Sequence, residues 1–353
     1  MTVRFIHETL PQRVVFAPGA APAAVAAEVA ALKATKVMLV VAPAAAALAD
    51  RLAADLPVAV RHDEVVMHVP VDVAERARKA ATEGAVDALV CVGGGSTTGL
   101  AKAVALTTGL PIVAVPTTYA GSEATNVWGL TEGEVKTTGV DPRVLPRSIV
   151  YDASLLSSLP VEMSVASGLN ALAHCVDSMW GPRADPIDRA LAAEGIRALA
   201  RGLPCVAADP SGLEGREQTL YGAYLAAVAF ASAGSGLHHK ICHVLGGMFN
   251  LPHAQTHAVV LPHVLAFNAP AVPETERRIA EAFGGPTAVA GLTALRETLH
   301  APRALRDYGM PEDGIARAVA PVLAAVPAGN PTDVTKENLT ALLRAAWEGN
   351  DPR

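Results

Sequence analysis

The apolar residues of this chain change their spacing near its middle. Up to about residue 152, short continuous apolar runs recur. They are RVVFA at 13–17, KVMLVVA at 36–42, a stretch around 58–65, DALVCV from 87, LPIVAVPTT at 110–118 and RSIVYD at 147–152. Such runs, bounded by glycine, proline or charge, predict short strands, the more continuous of them buried on both faces. Helical spacing appears between them, clearest in VDVAERARKAATEG at 71–84, which closes on Gly84. Strands alternating with helices predict a parallel sheet with right-handed crossovers. Beyond Asp152, β-branched runs become rare. Helical spacing takes over after Leu159-Pro160, through EMSVASGLNALAHCVDSMW, and again over 186–202, 216–248 and 312–325. The expected architecture is an α/β N-terminal domain with a Rossmann-like parallel sheet over 1–155, and an all-helical C-terminal domain over 156–353.

Length agrees with two domains, because single cores stop growing near roughly 250–300 residues. The net charge of −6, without a long basic run, makes nucleic acid an unexpected partner. Cys91, Cys175, Cys205 and Cys242 form no C-x-x-C pair and sit in apolar or helix-like surroundings. They read as reduced core thiols of a cytoplasmic protein. The opening MTVRFIHETLPQRVVF has no long apolar segment, so no signal peptide is expected. No membrane span is expected either, since the alanine-rich stretch at 41–54 is broken by Pro43, Asp50 and Arg51.

Two strand ends carry candidate chemistry. The run ending in Val92 leads into Gly93-Gly94-Gly95-Ser96-Thr97, and a helix from Leu100 to Leu106 follows. Glycines let a backbone approach a diphosphate, and a helix N-terminus supplies free N–H groups and a positive dipole end. Ser96 and Thr97 add hydroxyls. The spacing is not G-x-G-x-x-G, so the usual Rossmann fingerprint does not apply. On the glycines alone, a phosphate cradle and a plain strand-to-helix turn are equally good readings. A second strand end, Val115-Pro116-Thr117-Thr118 followed by Ala120-Gly121-Ser122-Glu123, favours the cradle, because ligands of parallel sheets bind at strand carboxyl ends. The first buried strand ends in Val41-Ala42-Pro43, with no acid to hold a ribose 2′-hydroxyl or to repel a 2′-phosphate. Tolerance of both NADH and NADPH is expected.

In the second half, Asn170 and His174 are four apart, as are His239 and His243, and each pair shares a helix face. His253 follows Pro252. Helix pairs bearing such residues are scaffolds for metal or catalytic sites. Any one of these histidines taken alone reads equally well as core or surface, and for His238, His257 and His263 that reading stays open.

GGGST, PTTYAGSEAT, GLNALAHCVD and H-x-x-x-H-x-L-G-G-x-x-x-x-P-H occur in that order between about residues 90 and 265. Together they resemble the signatures of the iron-containing alcohol dehydrogenases. The resemblance implies an α/β nucleotide domain, a helical domain, and a metal between them. It maps the metal ligands, an Asp and three His, onto Asn170, His174, His239 and His253, and places His243 near the nicotinamide. It adds Lys136 to the cofactor contacts expected at Gly93, Gly94, Gly95, Ser96, Thr97, Thr117, Thr118 and Ser122.

Asn170 departs from the pattern, because a neutral amide is a much weaker ligand than a carboxylate. That change, the opening PQRVVFAPG, and GLHHKICHVLGG with LPHAQTHAVVLPH are similar to the maleylacetate reductase branch. That resemblance covers most of the chain. It implies NAD(P)H-dependent reduction of a carbon–carbon double bond in a small dicarboxylate, within the degradation of aromatic compounds, by a homodimer needing no metal. His243 is then the first candidate for proton donor or oxyanion partner and His253 the second, with His174 and His239 beside them. Lys240 either offsets substrate carboxylates or is simply solvated. A metal-dependent alcohol dehydrogenase, a lyase resembling 3-dehydroquinate synthase and a non-catalytic nucleotide binder are the alternatives.

Overall fold

The computed structural model describes residues 4–352 except Glu134 and the side chain of Lys136. It divides into two compact units, one spanning Leu10–Leu159 and the other running from Pro160 onward together with residues 4–9. The division therefore falls four residues later than expected, at Pro160, which caps the first long helix of the second unit. Residues 4–9 leave the N-terminal unit because His7 is held by the helical one, its Nδ1 lying 2.8 Å from the buried carboxylate of Asp185.

The first unit alternates strands and helices: β1 (Arg13–Phe16), α1 (Ala21–Ala31), β2 (Val37–Val41), α2 (Ala46–Ala53), β3 (Val58–His62) and α3 (Val71–Glu83). It continues with β4 (Ala88–Gly93), α4 (Gly95–Thr108), β5 (Ile112–Pro116), β6 (Val127–Glu132), β7 (Val135–Val140) and β8 (Ser148–Tyr151). Six strands form one parallel sheet in the order β1-β8-β5-β4-β2-β3. Every residue of β2, β4, β5 and β8 is buried. Alternation explains why these strands read as unbroken apolar runs. Leu39, Val41, Val90, Val92, Val113 and Val115 pack with α1 and α2. Met38, Val40, Leu89, Cys91, Ile112 and Ala114 pack with α3 and α4. Each such side chain contributes roughly 1.5–3 kcal/mol by leaving water. From β2 the chain moves outward to β3 and then returns to the other side of β2 as β4. The sheet therefore reverses direction between β2 and β4, which is where doubly wound sheets open a binding crevice.

Sequence reasoning missed the antiparallel hairpin β6–β7. Its strands are half-exposed, with Val135 and Val140 facing out and glycine, threonine and charge breaking the apolar positions, so no buried run marks them.

The second unit is helical among the described residues: α5 (Val161–Trp180), α6 (Pro186–Ala208), α7 (Leu213–Ala233), α8 (Leu237–Phe249), α9 (His253–Asn268), α10 (Pro273–Phe283), α11 (Ala288–Thr298), α12 (Gly314–Ala325) and α13 (Lys336–Glu348). The central α5 is packed by α6, α7 and α9 and buried along nearly its whole length. Asp185 caps α6, accepting the N–H groups of Ile187 and Asp188 in a reciprocal capping box. The helix runs past the expected end at 202 and through Pro204. The stretch 216–248 divides where Gly234, at φ +81, lets the chain turn by 97° between α7 and α8. No single described helix is long and apolar enough to cross a membrane.

Candidate active site

In the α/β unit, the glycine turn lies at the carboxyl end of β4. Gly93 ends the strand, Gly94 caps α4, and Gly95, Ser96 and Thr97 form its first turn. Side chains are excluded here by contact. A Cβ on Gly93 would stand 2.3 Å from the Thr97 Oγ1, and one on Gly94 3.0 Å from the Thr118 methyl. Thr97 is therefore buried beneath the turn, whereas Ser96 is a half-exposed hydroxyl. The Thr117 N–H donates to the Gly93 carbonyl at 3.0 Å, tying the end of β5 to the end of β4. Thr118 and Ser122 are half-buried nearby in sequence, Ser122 beginning a short 3-10 turn. Lys136 lies in β7, and its side chain falls outside the described residues. These features fit a diphosphate: small residues, hydroxyls and a helix N-terminus whose first N–H groups lack intrahelical acceptors.

Beneath this turn, Lys102 of α4 is wholly buried. Its Nζ donates to the carbonyls of Ser122 (2.6 Å), Thr125 (2.8 Å) and Val127 (2.8 Å), with the Thr125 hydroxyl at 3.0 Å. It staples the segment after β5 to the helix that opens at the glycines. Burial pushes its ammonium down to about 7, against the pull of Glu123.

In the helical unit, α5, α8 and α9 bring most of the anticipated residues together. Asn170 and His174 sit one turn apart on α5, both buried. The His174 ring stacks on His239 of α8 at 4.8 Å and 14°, and Phe230 of α7 packs on both. His243 lies one turn along α8, its ring 6.1 Å from that of His239. His253 opens α9, 4.3 Å from the ring of His257. His243 and His253 are only half-buried, and so is Lys240. His238 and His257 are inaccessible and bonded to each other, Nε2 to Nδ1, at 2.8 Å. They form a floor under the cluster. His263 makes no ring contact with the cluster.

Burial pushes His174 down to about 4 and His238 to about 3, and takes His239 and His257 well below the usual imidazole range. The deep histidines are therefore neutral at pH 7. The residue that sequence reasoning missed is Asp177, wholly buried on α5, with Oδ2 2.6 Å from the His239 Nδ1. Its only signal was its place three residues after His174, on the same helix face. One expectation about the thiols is corrected. Cys91, Cys175 and Cys242 are buried, but Cys205 is exposed near the end of α6.

Residues 11–153 match the family model for iron-containing alcohol dehydrogenase, and residues 164–347 match the model for the C-terminal part of the Fe-containing alcohol dehydrogenase family. The chain belongs to the iron-containing alcohol dehydrogenase family. It is 46% identical over 352 residues to a maleylacetate reductase of Sphingobium indicum, spanning 99% of each chain. A solved iron-containing alcohol dehydrogenase from Corynebacterium glutamicum is 62% identical and superposes with a TM-score of 0.97, covering 100% of this chain and 99% of that one. The maleylacetate reductase of Agrobacterium tumefaciens is 39% identical with a TM-score of 0.93, over 99% and 100% of the two chains. Members of the iron-containing alcohol dehydrogenase family are oxidoreductases that use NAD(P).

The family name implies iron, and the residues at the inherited ligand positions fit it poorly. Asn170, His174, His239 and His253 supply no negative charge to a divalent ion. Among the described residues, the nitrogens of His174, His239 and His253 do not all come within 4.8 Å of one another. Asn170 Oδ1, His174 Nδ1 and His239 Nε2 are buried without hydrogen-bond partners. These polar atoms suit a small polar guest; three neutral histidines can hold zinc, but without a carboxylate they are a weak donor set for iron.

Proposed function

We propose that this oxidoreductase is a maleylacetate reductase, converting maleylacetate to 3-oxoadipate at the expense of NADH or NADPH, without a metal, in the cytoplasm. The observation that carries the reading is the buried histidine cluster in which Asn170 occupies the place of the family's acidic ligand. Whole-length similarity to maleylacetate reductases supports it.

Maleylacetate carries a carbon–carbon double bond conjugated to a ketone. Gly93, Gly94, Gly95, Ser96, Thr97, Thr117, Thr118, Ser122 and Lys136 would hold the nicotinamide cofactor, which when bound would supply a hydride for the carbon β to that ketone. Charge then develops on the ketone oxygen as an enolate. His243 and His253 are the accessible members of the cluster, and their N–H groups stabilise that oxygen and pass a proton to the α carbon. The deep histidines, neutral by burial, hold the surroundings rigid and exclude bulk water. Lys240 lies at the edge, where its charge offsets a substrate carboxylate.

Because Pro43 follows β2 where a ribose-binding acid is usual, both cofactors are expected to work, within about one to two decades in kcat/KM. Among the described residues the outer edge of β1 is unpaired, and Phe16 at its end is exposed. An open apolar edge is normally covered, and a second copy of the chain is the expected cover.

NADH oxidation driven by maleylacetate after exhaustive chelation tests the function. Activity only with alcohols, restored by iron or zinc, overturns it in favour of a metal-dependent alcohol dehydrogenase. A chain that sediments as a monomer at micromolar concentration rules out the dimer.

A further inference from the structure

The carboxylate of Asp177 organises the histidine cluster and has no part in the reading above. Its Oδ2 lies 3.0 Å from the Gly236 N–H, 3.2 Å from the His239 N–H and 2.6 Å from the His239 Nδ1. The fit is close: a Cβ on Gly236 would stand 2.5 Å from the Asp177 Oδ1, so glycine opens α8 here. Two backbone N–H groups already point at Oδ2, which leaves no place on that oxygen for a proton. The third partner must donate as well, so the His239 proton lies on Nδ1. Stacking by His174 and Phe230 fixes the plane of the ring.

We infer that Asp177 is a positioning residue that locks His239 in its Nδ1–H form and so presents Nε2 to the site as a hydrogen-bond acceptor, not as an oxyanion donor. Nε2 is buried and has no hydrogen-bond partner within the protein, a costly state unless a guest supplies a hydrogen. Asn170 Oδ1 and His174 Nδ1 share that condition in the same cluster. The ionised substrate brings no O–H of its own. The donor to Nε2 is therefore a water, which needs two to four polar partners of this kind. With one hydrogen held by Nε2, its other turns from the Asn170 Oδ1 to the enolate oxygen as charge develops there. Asp177 thus acts on the reaction through His239 and that water, while His243 and His253 act directly. The reaction in this inference rests on the maleylacetate reductase reading; the tautomer does not.

Asp177→Leu tests it. All three donors meet Oδ2, so an amide oxygen in its place would still hold the Nδ1–H, whereas an apolar side chain removes that acceptor and frees the His239 proton to move to Nε2. The expected result is a fall in kcat of roughly 10–100-fold, the usual cost of losing a carboxylate behind a site histidine, with KM little changed. An unchanged or raised kcat would show that His239 is a donor and overturns the inference. Asp177→Leu added to His239→Gln should lower kcat no further, whereas a purely structural carboxylate costs the same in both backgrounds. Nitrogen-15 imidazole spectra, assigned by the signal lost in His239→Gln, should show Nδ1–H in the wild type. Nε2–H there overturns the inference even if the variants fail to fold. A wild type lacking maleylacetate-dependent NADH oxidation defeats the proposed function instead.

Discussion

Acidification should unfold this protein early. His174 is pushed down to about 4, His238 to about 3 and His263 to about 4, while His239 and His257 are well below the ordinary 6.5, and burial is the main cause throughout. Well above pH 6.5 these five are neutral in both states and cost nothing. As pH falls from 6.5 towards 4, the unfolded chain takes up their protons and the folded chain refuses them, so stability is lost through that window. Three carboxyls oppose the trend. Burial pushes Asp177 up to about 7 and raises Glu123 and Asp188, so the fold keeps protons there that the unfolded chain releases. At least about two net protons remain, each worth about 1.4 kcal/mol per pH unit. Near pH 5.5 the slope approaches about 3 kcal/mol per unit, against a total stability of about 5–15 kcal/mol. Urea unfolding followed by circular dichroism at pH 7.5, 6.5 and 5.5 measures this directly. The midpoint should fall modestly between the first two and drop steeply at the third. Equal midpoints at pH 7.5 and 5.5 would refute the burial argument and imply that the cluster hydrates or charges within the fold.

His243→Ala should lower kcat and kcat/KM together by roughly a hundredfold or more, as loss of an oxyanion donor does, and His253→Ala should act likewise. A raised KM at normal kcat in steady-state assays would leave both residues as binding groups only. Gly94→Val places a branched side chain against Thr118, 3.0 Å from where its Cβ would stand, and should weaken NADH and NADPH binding equally in fluorescence titrations. Asn170→Asp should raise zinc or iron affinity, read by calorimetry on chelated protein. Lys102→Met leaves the carbonyls of Ser122, Thr125 and Val127 without their buried donor and should lower stability by about 2–4 kcal/mol in denaturant melts.

The sheet was legible because a strand buried on both faces has no polar positions to interrupt it, and β2, β4 and β5 are such strands. The hairpin β6–β7 was not, since neither face supplies a continuous apolar signal. The bend between α7 and α8 had a local cue in Gly234-Ser235-Gly236, but two glycines fit a loop and a kink equally well. Within the site, His239 and His243 were visible because four-residue spacing is itself geometry. Asp177 was not, because its partner His239 is 62 residues away and only the packing of α5 against α8 joins them. Exposure of Cys205 escaped notice because it depends on which face of α6 meets α5 and α7, and the residues around it are small and apolar on every side.

Synthesis from the ribosome gives the edge strand an awkward schedule. β1 is among the earliest segments made, yet its partner β8 is the last strand of the sheet, so Arg13–Phe16 must wait until Ser148–Tyr151 has emerged. Residues 4–9 wait longer still, since His7 meets Asp185 on α6 and approaches Ser232 near the end of α7. For most of translation the start of the chain is thus an unpaired, partly apolar tail bearing Phe5, Ile6 and Phe16. Such a tail is exposed to chaperones and to neighbouring nascent chains on the same messenger.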